Sequence, residues 1–170
     1  MTRTVNLSAG TQVLRVYISG NDFNLNWLRL STATGTTNLA LNKSVVASST
    51  VNGAQPASAA VDGNQNSYWE SANNAWPQQL TVDLGSSQSV SRVVLKLPAS
   101  WGARNQTIAV LGSTDNASYS QIVGATSYTF SPGSNTVTIN FAATSRRYIR
   151  LNFTANSGWP AAQVAEFEVY

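Results

Sequence analysis

Asp62, Asn64 and Ser67 fall within six positions of one another in the run Ala60-Val61-Asp62-Gly63-Asn64-Gln65-Asn66-Ser67-Tyr68-Trp69-Glu70. Asp-Gly-Asn predicts a tight turn, because Gly and Asn tolerate positive φ and short polar side chains bond to nearby backbone. The turn gathers hard oxygen donors, which suits calcium, an ion that takes six to eight oxygens from carboxylates, carbonyls and hydroxyls. The plainer reading is a turn-forming aspartate with no metal.

A second chemistry is carried by tryptophans in polar loops. They are Glu70-Ser71-Ala72-Asn73-Asn74-Ala75-Trp76-Pro77, Pro98-Ala99-Ser100-Trp101-Gly102-Ala103-Arg104-Asn105-Gln106 and Asn156-Ser157-Gly158-Trp159-Pro160. A flat apolar ring beside amides, a carboxylate and a guanidinium suits a saccharide, whose C–H face stacks while its hydroxyls are fixed by polar groups. Glu70, Asn73, Trp76, Trp101, Arg104, Gln106 and Trp159 are the candidate contacts. For the tryptophans the alternative is capping of a sheet sandwich. For Glu70 it is a solvated carboxylate, set against a ligand hydrogen bond or a partner for Arg104. Trp69, next to Tyr68 at the entry to a strand-rich region, reads as core.

Covalent chemistry finds no support. The chain has no histidine and no cysteine, so a Ser-His triad and a thiol nucleophile are excluded. No glycine-rich phosphate loop appears. Glycoside hydrolysis needs two carboxylates flanking the scissile bond a few ångströms apart, and enzyme activity is not expected.

These loops need a scaffold, and the sequence supplies many short alternating segments. Strands are predicted over 44–47, 79–84, 90–97, 107–113, 121–123, 126–130, 136–141, 148–153 and 164–169, with turn residues between them. No segment carries a long 3.6-residue apolar period. That spacing predicts an all-β sandwich or barrel. Upstream, residues 4–31 read as a β-hairpin around Ser19-Gly20-Asn21-Asp22, and residues 32–37 as a small, polar linker. The domain boundaries are therefore 1–31, 32–37 and 38–170.

Five ordered motifs carry a resemblance: Asn38-Leu-Ala-Leu-Asn-Lys43, Ala60-Val-Asp-Gly-Asn64, Tyr68-Trp69, Leu80-Thr-Val-Asp-Leu-Gly85 and Glu166-Phe-Glu-Val-Tyr170. Together they resemble the coagulation factor 5/8 type C, or discoidin, domain, and among its branches the bacterial family 32 carbohydrate-binding modules. The resemblance spans 38–170. It implies a galactose-binding-domain-like jelly roll with an N-terminal hairpin extension, and sugar binding by loops at one rim. It also implies a structural calcium ion shared by Asp62 and Glu166, with Ser67 and the carbonyls of Ala59, Asn64 and Ala165 completing the shell. Leu14-Arg-Val-Tyr17 and Asp22-Phe-Asn-Leu-Asn-Trp27 resemble the closing strands of a family 6 carbohydrate-binding module, with Asn24 and Asn26 at its sugar-contacting positions.

Composition fits that class. Charged residues make up 10% and hydrophobic residues 42% of the 170, against about a quarter charged in average proteins, so the polarity is largely neutral. Ten basic and seven acidic residues give +3, and the basic ones are scattered except for Arg146, Arg147 and Arg150. Nucleic acid, which asks for a dense basic stripe, is not expected. No signal-peptide pattern and no long apolar run occurs, so no membrane partner is expected. The expectation is a non-catalytic, extracellular, monomeric module of a bacterial polysaccharide-degrading enzyme. It would hold a glucan of α-1,3 or β-1,3 type, with chitosan through Glu70, or an adhesion or spacer role, as alternatives. Strand pairing through residues 1–31 is the route to a dimer.

Overall fold

The computed structural model describes residues 37–170 together with Gly20. Residues 37–170 lie in one compact unit, Gly35–Tyr170. The hairpin expected over 4–31, and the family 6 resemblance it carries, lie outside the described residues.

The elements are β1 Ser44–Ala47, a 3₁₀ turn Ala57–Ala60, β2 Trp69–Glu70, β3 Gln78–Lys96, β4 Arg104–Ser113, β5 Ser120–Phe130, β6 Thr136–Asn156, β7 Gln163–Val164 and β8 Glu166–Val169. Among the described residues no α-helix occurs, and no helix is long and apolar enough to cross a membrane. The main sheet runs β1-β3-β6-β4-β5, with β8 also paired to β3, and every pairing is antiparallel. This is the jelly-roll sandwich the sequence predicts.

Two long strands make the sandwich from one hydrogen-bonded path. Gln78–Asp83 of β3 pairs with Tyr148–Phe153 of β6, and Gln88–Lys96 pairs with Thr136–Arg146. Between them the register shifts, and Gly85 sits at φ +89°, a conformation that costs a residue without Cβ nothing. Each strand thus crosses from one layer to the other, and what the sequence presents as two strands is one bent strand. A second shift lies between Val90 and Arg92, where β3 advances two residues while β6 advances four, from Thr144 to Asn140. Across this irregularity the buried positions of β3 change parity: Leu80, Val82, Leu84 and Val90 are buried before it, and Val93, Leu95 and Leu97 after it.

Those side chains meet Ile108, Val110, Ile149, Leu151, Phe153, Phe167 and Val169 in one core. Each fully buried side chain of this size contributes about 1.5–3 kcal/mol. Trp69 is wholly buried against Phe153, with ring centroids 5.8 Å apart, and its Nε1 donates to Ser49 O at 3.0 Å. It is a core residue, as the sequence indicates.

The short pair β2–β7 positions the rim. Its register sets Trp69 opposite Val164 and Glu70 opposite Gln163.

Candidate functional site

Hydrogen bonds zip the three tryptophan loops together. Ser71 N donates to Ala162 O at 3.0 Å, Ala162 N to Ser71 Oγ at 2.9 Å, and Asn74 N to Pro160 O at 2.7 Å. Asn105 N donates to Ser157 Oγ and Ser157 N to Asn105 O, both at 2.9 Å. The buried Asn135 amide donates to Pro98 O at 2.9 Å and Trp101 O at 2.8 Å, fixing the Trp101 loop from below. The rim is held by backbone, so its side chains stand on a rigid base.

A connected set of side chains sits on that base. Glu70 is 7% exposed; its Oε1 accepts from Trp159 Nε1 at 3.1 Å and its Oε2 from Gln163 Nε2 at 2.7 Å. Arg104 Nη1 donates to Gln163 Oε1 at 2.5 Å, and its guanidinium lies 4.5 Å from the centre of the Trp101 ring. Trp101 in turn meets Tyr68 edge to face, with centroids 4.7 Å apart. Burial lowers the Arg104 pKa, and the nearby Glu70 charge opposes that shift. Trp159 is 48% exposed: its nitrogen is anchored while much of its ring is open to solvent. The arrangement offers an oriented aromatic face, a carboxylate and a guanidinium at one edge, which can stack on and hydrogen-bond a polyol.

The predicted contacts divide. Glu70, Trp101, Arg104 and Trp159 come together. Asn73 is exposed on the neighbouring loop, and Trp76 is half-buried against the core; neither joins the hydrogen-bonded network. Gln106 does not reach the surface. It shares the inward parity of Ile108 and Val110 and is fully buried; its Nε2 donates to Gln163 O at 2.9 Å and its Oε1 accepts from Gln163 N at 3.0 Å. It clamps β7 and supports the rim from beneath.

Sequence reasoning missed Gln163, which is 3% exposed and joins Glu70 to Arg104. The signal was a lone amide inside the apolar run Ala161-Ala162-Gln163-Val164-Ala165, since a polar side chain buried there must find partners. It also missed Gly158, where an added Cβ would lie 2.8 Å from Arg104 Cβ.

The oxygen-rich loop lies beside Glu166. Gly63 takes φ +81°, Asp62 Oδ1 accepts from Asn64 N at 2.8 Å, and Asp62 Oδ2 accepts from Ser67 Oγ at 2.6 Å. Ser67 N donates to Asn64 O at 3.1 Å. Glu166, at the start of β8, is 3% exposed, and its Oε1 is buried without a hydrogen-bond partner. Burial, and then the neighbouring Asp62 carboxyl, push the Glu166 pKa up to about 7. Ala59 lies in the 3₁₀ turn and Ala165 between β7 and β8, both buried. Two carboxyls with hydroxyl and carbonyl oxygens, one carboxyl oxygen orphaned, form a donor set that fits a hard divalent cation. Among the described residues no group of three or more His, Cys, Asp or Glu is placed to hold a metal ion.

A jelly-roll sandwich with an aromatic and polar loop cluster at one rim defines a discoidin-like binding module. The family model described as F5/8 type C, NedA-like, galactose-binding domain matches residues 59–151, and the chain belongs to that family. Among solved structures it is similar to chitosan-binding module 1 of a chitosanase/glucanase from Paenibacillus sp. IK-5, at 34% identity and TM-score 0.63 over 79% of this chain and 98% of that one. Chitosan-binding module 2 of the same enzyme, in complex with chitotriose, matches at 33% identity and TM-score 0.63 over 78% and 99%. A family 32 module from Clostridium perfringens, in complex with GalNAc-β-1,3-galactose, shares the fold at 22% identity and TM-score 0.67 over 79% and 99%. No curated protein matches the chain.

Proposed function

We propose that this domain is a non-catalytic carbohydrate-binding module that holds a chitosan chain at the Glu70–Trp159–Trp101 rim. The observation that carries this reading is the placement of Glu70, a carboxylate hydrogen-bonded to the nitrogen of a half-exposed tryptophan. A pyranose stacked on Trp159 would bring an amino substituent toward that carboxylate, and a carboxylate attracts an ammonium most strongly where water is thin. Two relatives at 33–34% identity are chitosan-binding modules, which moves the preference from the neutral glucan expected from composition. A neutral glucan remains the second reading, favoured by Arg104 in the same network, whose charge opposes an ammonium.

The module would be extracellular and monomeric, and would concentrate a polysaccharide-degrading enzyme on its substrate. A calcium ion held by Asp62, Ser67, Glu166 and the carbonyls of Ala59, Asn64 and Ala165 would tie the first long loop to the last strand. The orphaned Glu166 oxygen supports that role, and the ion would act on stability, because a ligand that binds the folded state alone stabilises it.

Calorimetric titration with chitotriose and laminaritriose, on wild type and Glu70→Gln, tests the reading. Chitotriose is expected to bind at mildly acidic pH and to lose at least about tenfold in the variant, the equivalent of roughly 1.4 kcal/mol, with thermal stability checked in parallel. Preference for laminaritriose, unchanged in Glu70→Gln, would establish the glucan reading. Binding of neither would point to a spacer.

A further inference from the structure

The outward face of the sheet opposite the core carries a second built depression, separate from the rim. It has a volume of about 220 Å³ and is lined by Ser44, Val46, Thr81, Asp83, Asn116, Tyr148 and Arg150. Register explains the grouping. Ser44 pairs with Asp83 and Asp83 with Tyr148, while Val46 pairs with Thr81 and Thr81 with Arg150. Cross-strand partners share a face, and their neighbours Leu80, Val82, Ile149 and Leu151 point into the core. Two rows of three side chains therefore form a floor across β1, β3 and β6.

The turn between β4 and β5 builds a wall. Asp115 Oδ1 accepts from Ala117 N and Ser118 N, both at 2.9 Å, so this acid is engaged by its own turn. Tyr119 bonds Asn116 Oδ1, and the Arg150 guanidinium lies 3.6 Å from the Tyr119 ring centre. Arg150 Nε donates to Thr81 Oγ1 at 2.8 Å. Arg150 is thus oriented by a ring on one side and a hydroxyl on the other. A preorganised fork of this kind loses little further freedom on binding.

Charge selects the occupant. Asp83, the acid among the lining residues, accepts from Arg147 Nε and Nη2 at 2.8 Å each and from Gly85 N at 2.8 Å. Arg150 forms no ion pair among the described residues. The charge of the depression that no ion pair takes up is the Arg150 guanidinium, set beside Val46, which is 68% exposed, and the half-buried Tyr148. A guanidinium fork matches a carboxylate in two parallel hydrogen bonds, and the apolar edge of Val46 and Tyr148 suits a sugar's C–H face. The volume falls below the ~300 Å³ lower bound usual for drug-sized ligands, which leaves room for a single ring.

We propose that this sheet-face depression binds one uronic acid residue, its carboxylate on Arg150 and its ring over Val46 and Tyr148. The site is distinct from the rim and does not depend on what the rim binds.

Amide chemical-shift titration of the full chain with glucuronic acid, glucose and acetate tests the assignment. Saturable shifts are expected at residues 44–46, 81–83 and 148–150, with glucose and acetate each at least tenfold weaker. Arg150→Gln is expected to lose at least tenfold for glucuronic acid, and Trp159→Ala to lose nothing. Should Arg150→Gln fail to fold, Val46→Glu, at an exposed position, places a repelling carboxylate beside the fork and should abolish the same shifts. Equal binding of acetate would reduce the depression to an anion site and overturn the proposal. Equal binding of glucose, shifts confined to the rim and lost in Trp159→Ala, or no shifts at all would overturn it too.

Discussion

Gln163 stands between Glu70 and Arg104 and keeps the two charges apart: its Nε2 donates to Glu70 Oε2 at 2.7 Å, and its Oε1 accepts from Arg104 Nη1 at 2.5 Å. A side-chain amide is neutral and can donate to an anion with its nitrogen while accepting from a cation with its oxygen. It lets a carboxylate and a guanidinium share a rim without closing into a direct pair that would occupy both.

Gln163→Leu should therefore remove the spacer while keeping the apolar packing of β7. It leaves the buried Glu70 Oε2 without its donor, which costs about 1–3 kcal/mol, and the half-buried Arg104 without its acceptor, so the melting temperature should fall. Affinity for the saccharide should fall at least about tenfold. Gln163→Glu should be worse for binding, since it pairs with Arg104 but repels Glu70. Denaturant melts beside calorimetric titration check both; affinity unchanged in Gln163→Leu would sink the spacer role.

Gly158 gives the second test. An added Cβ would lie 2.8 Å from Arg104 Cβ, closer than such atoms approach, and 3.2 Å from its Nε, a tight contact. Gly158→Ala should displace Arg104 from the Trp101 ring, weakening sugar binding severalfold while leaving the core melting transition close to wild type. A crystal structure of the variant with Arg104 unmoved would contradict this.

The two rim tryptophans should separate by measurement. Trp159 is half-exposed and held by one hydrogen bond to Glu70, whereas Trp101 packs against the core and meets Tyr68 and Arg104. Trp159→Ala is expected to abolish binding with little change in melting temperature. Trp101→Ala is expected to cost stability as well, toward the lower part of the ~3–5 kcal/mol seen for fully buried aromatic truncations. Equal loss of stability in both would show Trp159 to be a structural cap.

Much of this was legible in the sequence, for a physical reason. Period-2 alternation in Leu80-Thr81-Val82-Asp83-Leu84 is imposed by one buried face, and Asp62-Gly63-Asn64 is imposed by a positive φ at Gly63. What alternation cannot reveal is a strand that continues through a bend. The break at Gly85 looks like a turn in sequence, yet the chain carries on as β3. Gln106 shows the other limit: its neighbours Arg104 and Asn105 mark it as loop, but β4 begins at Arg104 and its parity sends Gln106 inward. Gln163 and Gly158 acquire meaning from residues about 50 to 90 positions away, a relation that composition and periodicity do not encode.

Glu166 yields the last prediction, and its sign follows from where its proton sits. The carboxyl has an ordinary value of 4.5 and is raised to about 7 in the fold by burial and then by Asp62. A group with a raised folded pKa binds its proton more tightly when folded, so its stabilising effect is complete below pH 4.5 and is lost as pH rises through 7. Without calcium, the melting temperature should fall between pH 5 and pH 8 as Glu166 ionises in its buried place beside Asp62. If calcium is held there as proposed, it should reverse this trend by favouring the ionised Glu166: at pH 8 it should raise the melting temperature by several degrees, at pH 5 by much less, and a chelator should undo the gain. Glu166→Gln should flatten the calcium-free pH profile and remove the calcium response together. A variant that loses the pH trend yet keeps the full calcium shift would place the ion elsewhere.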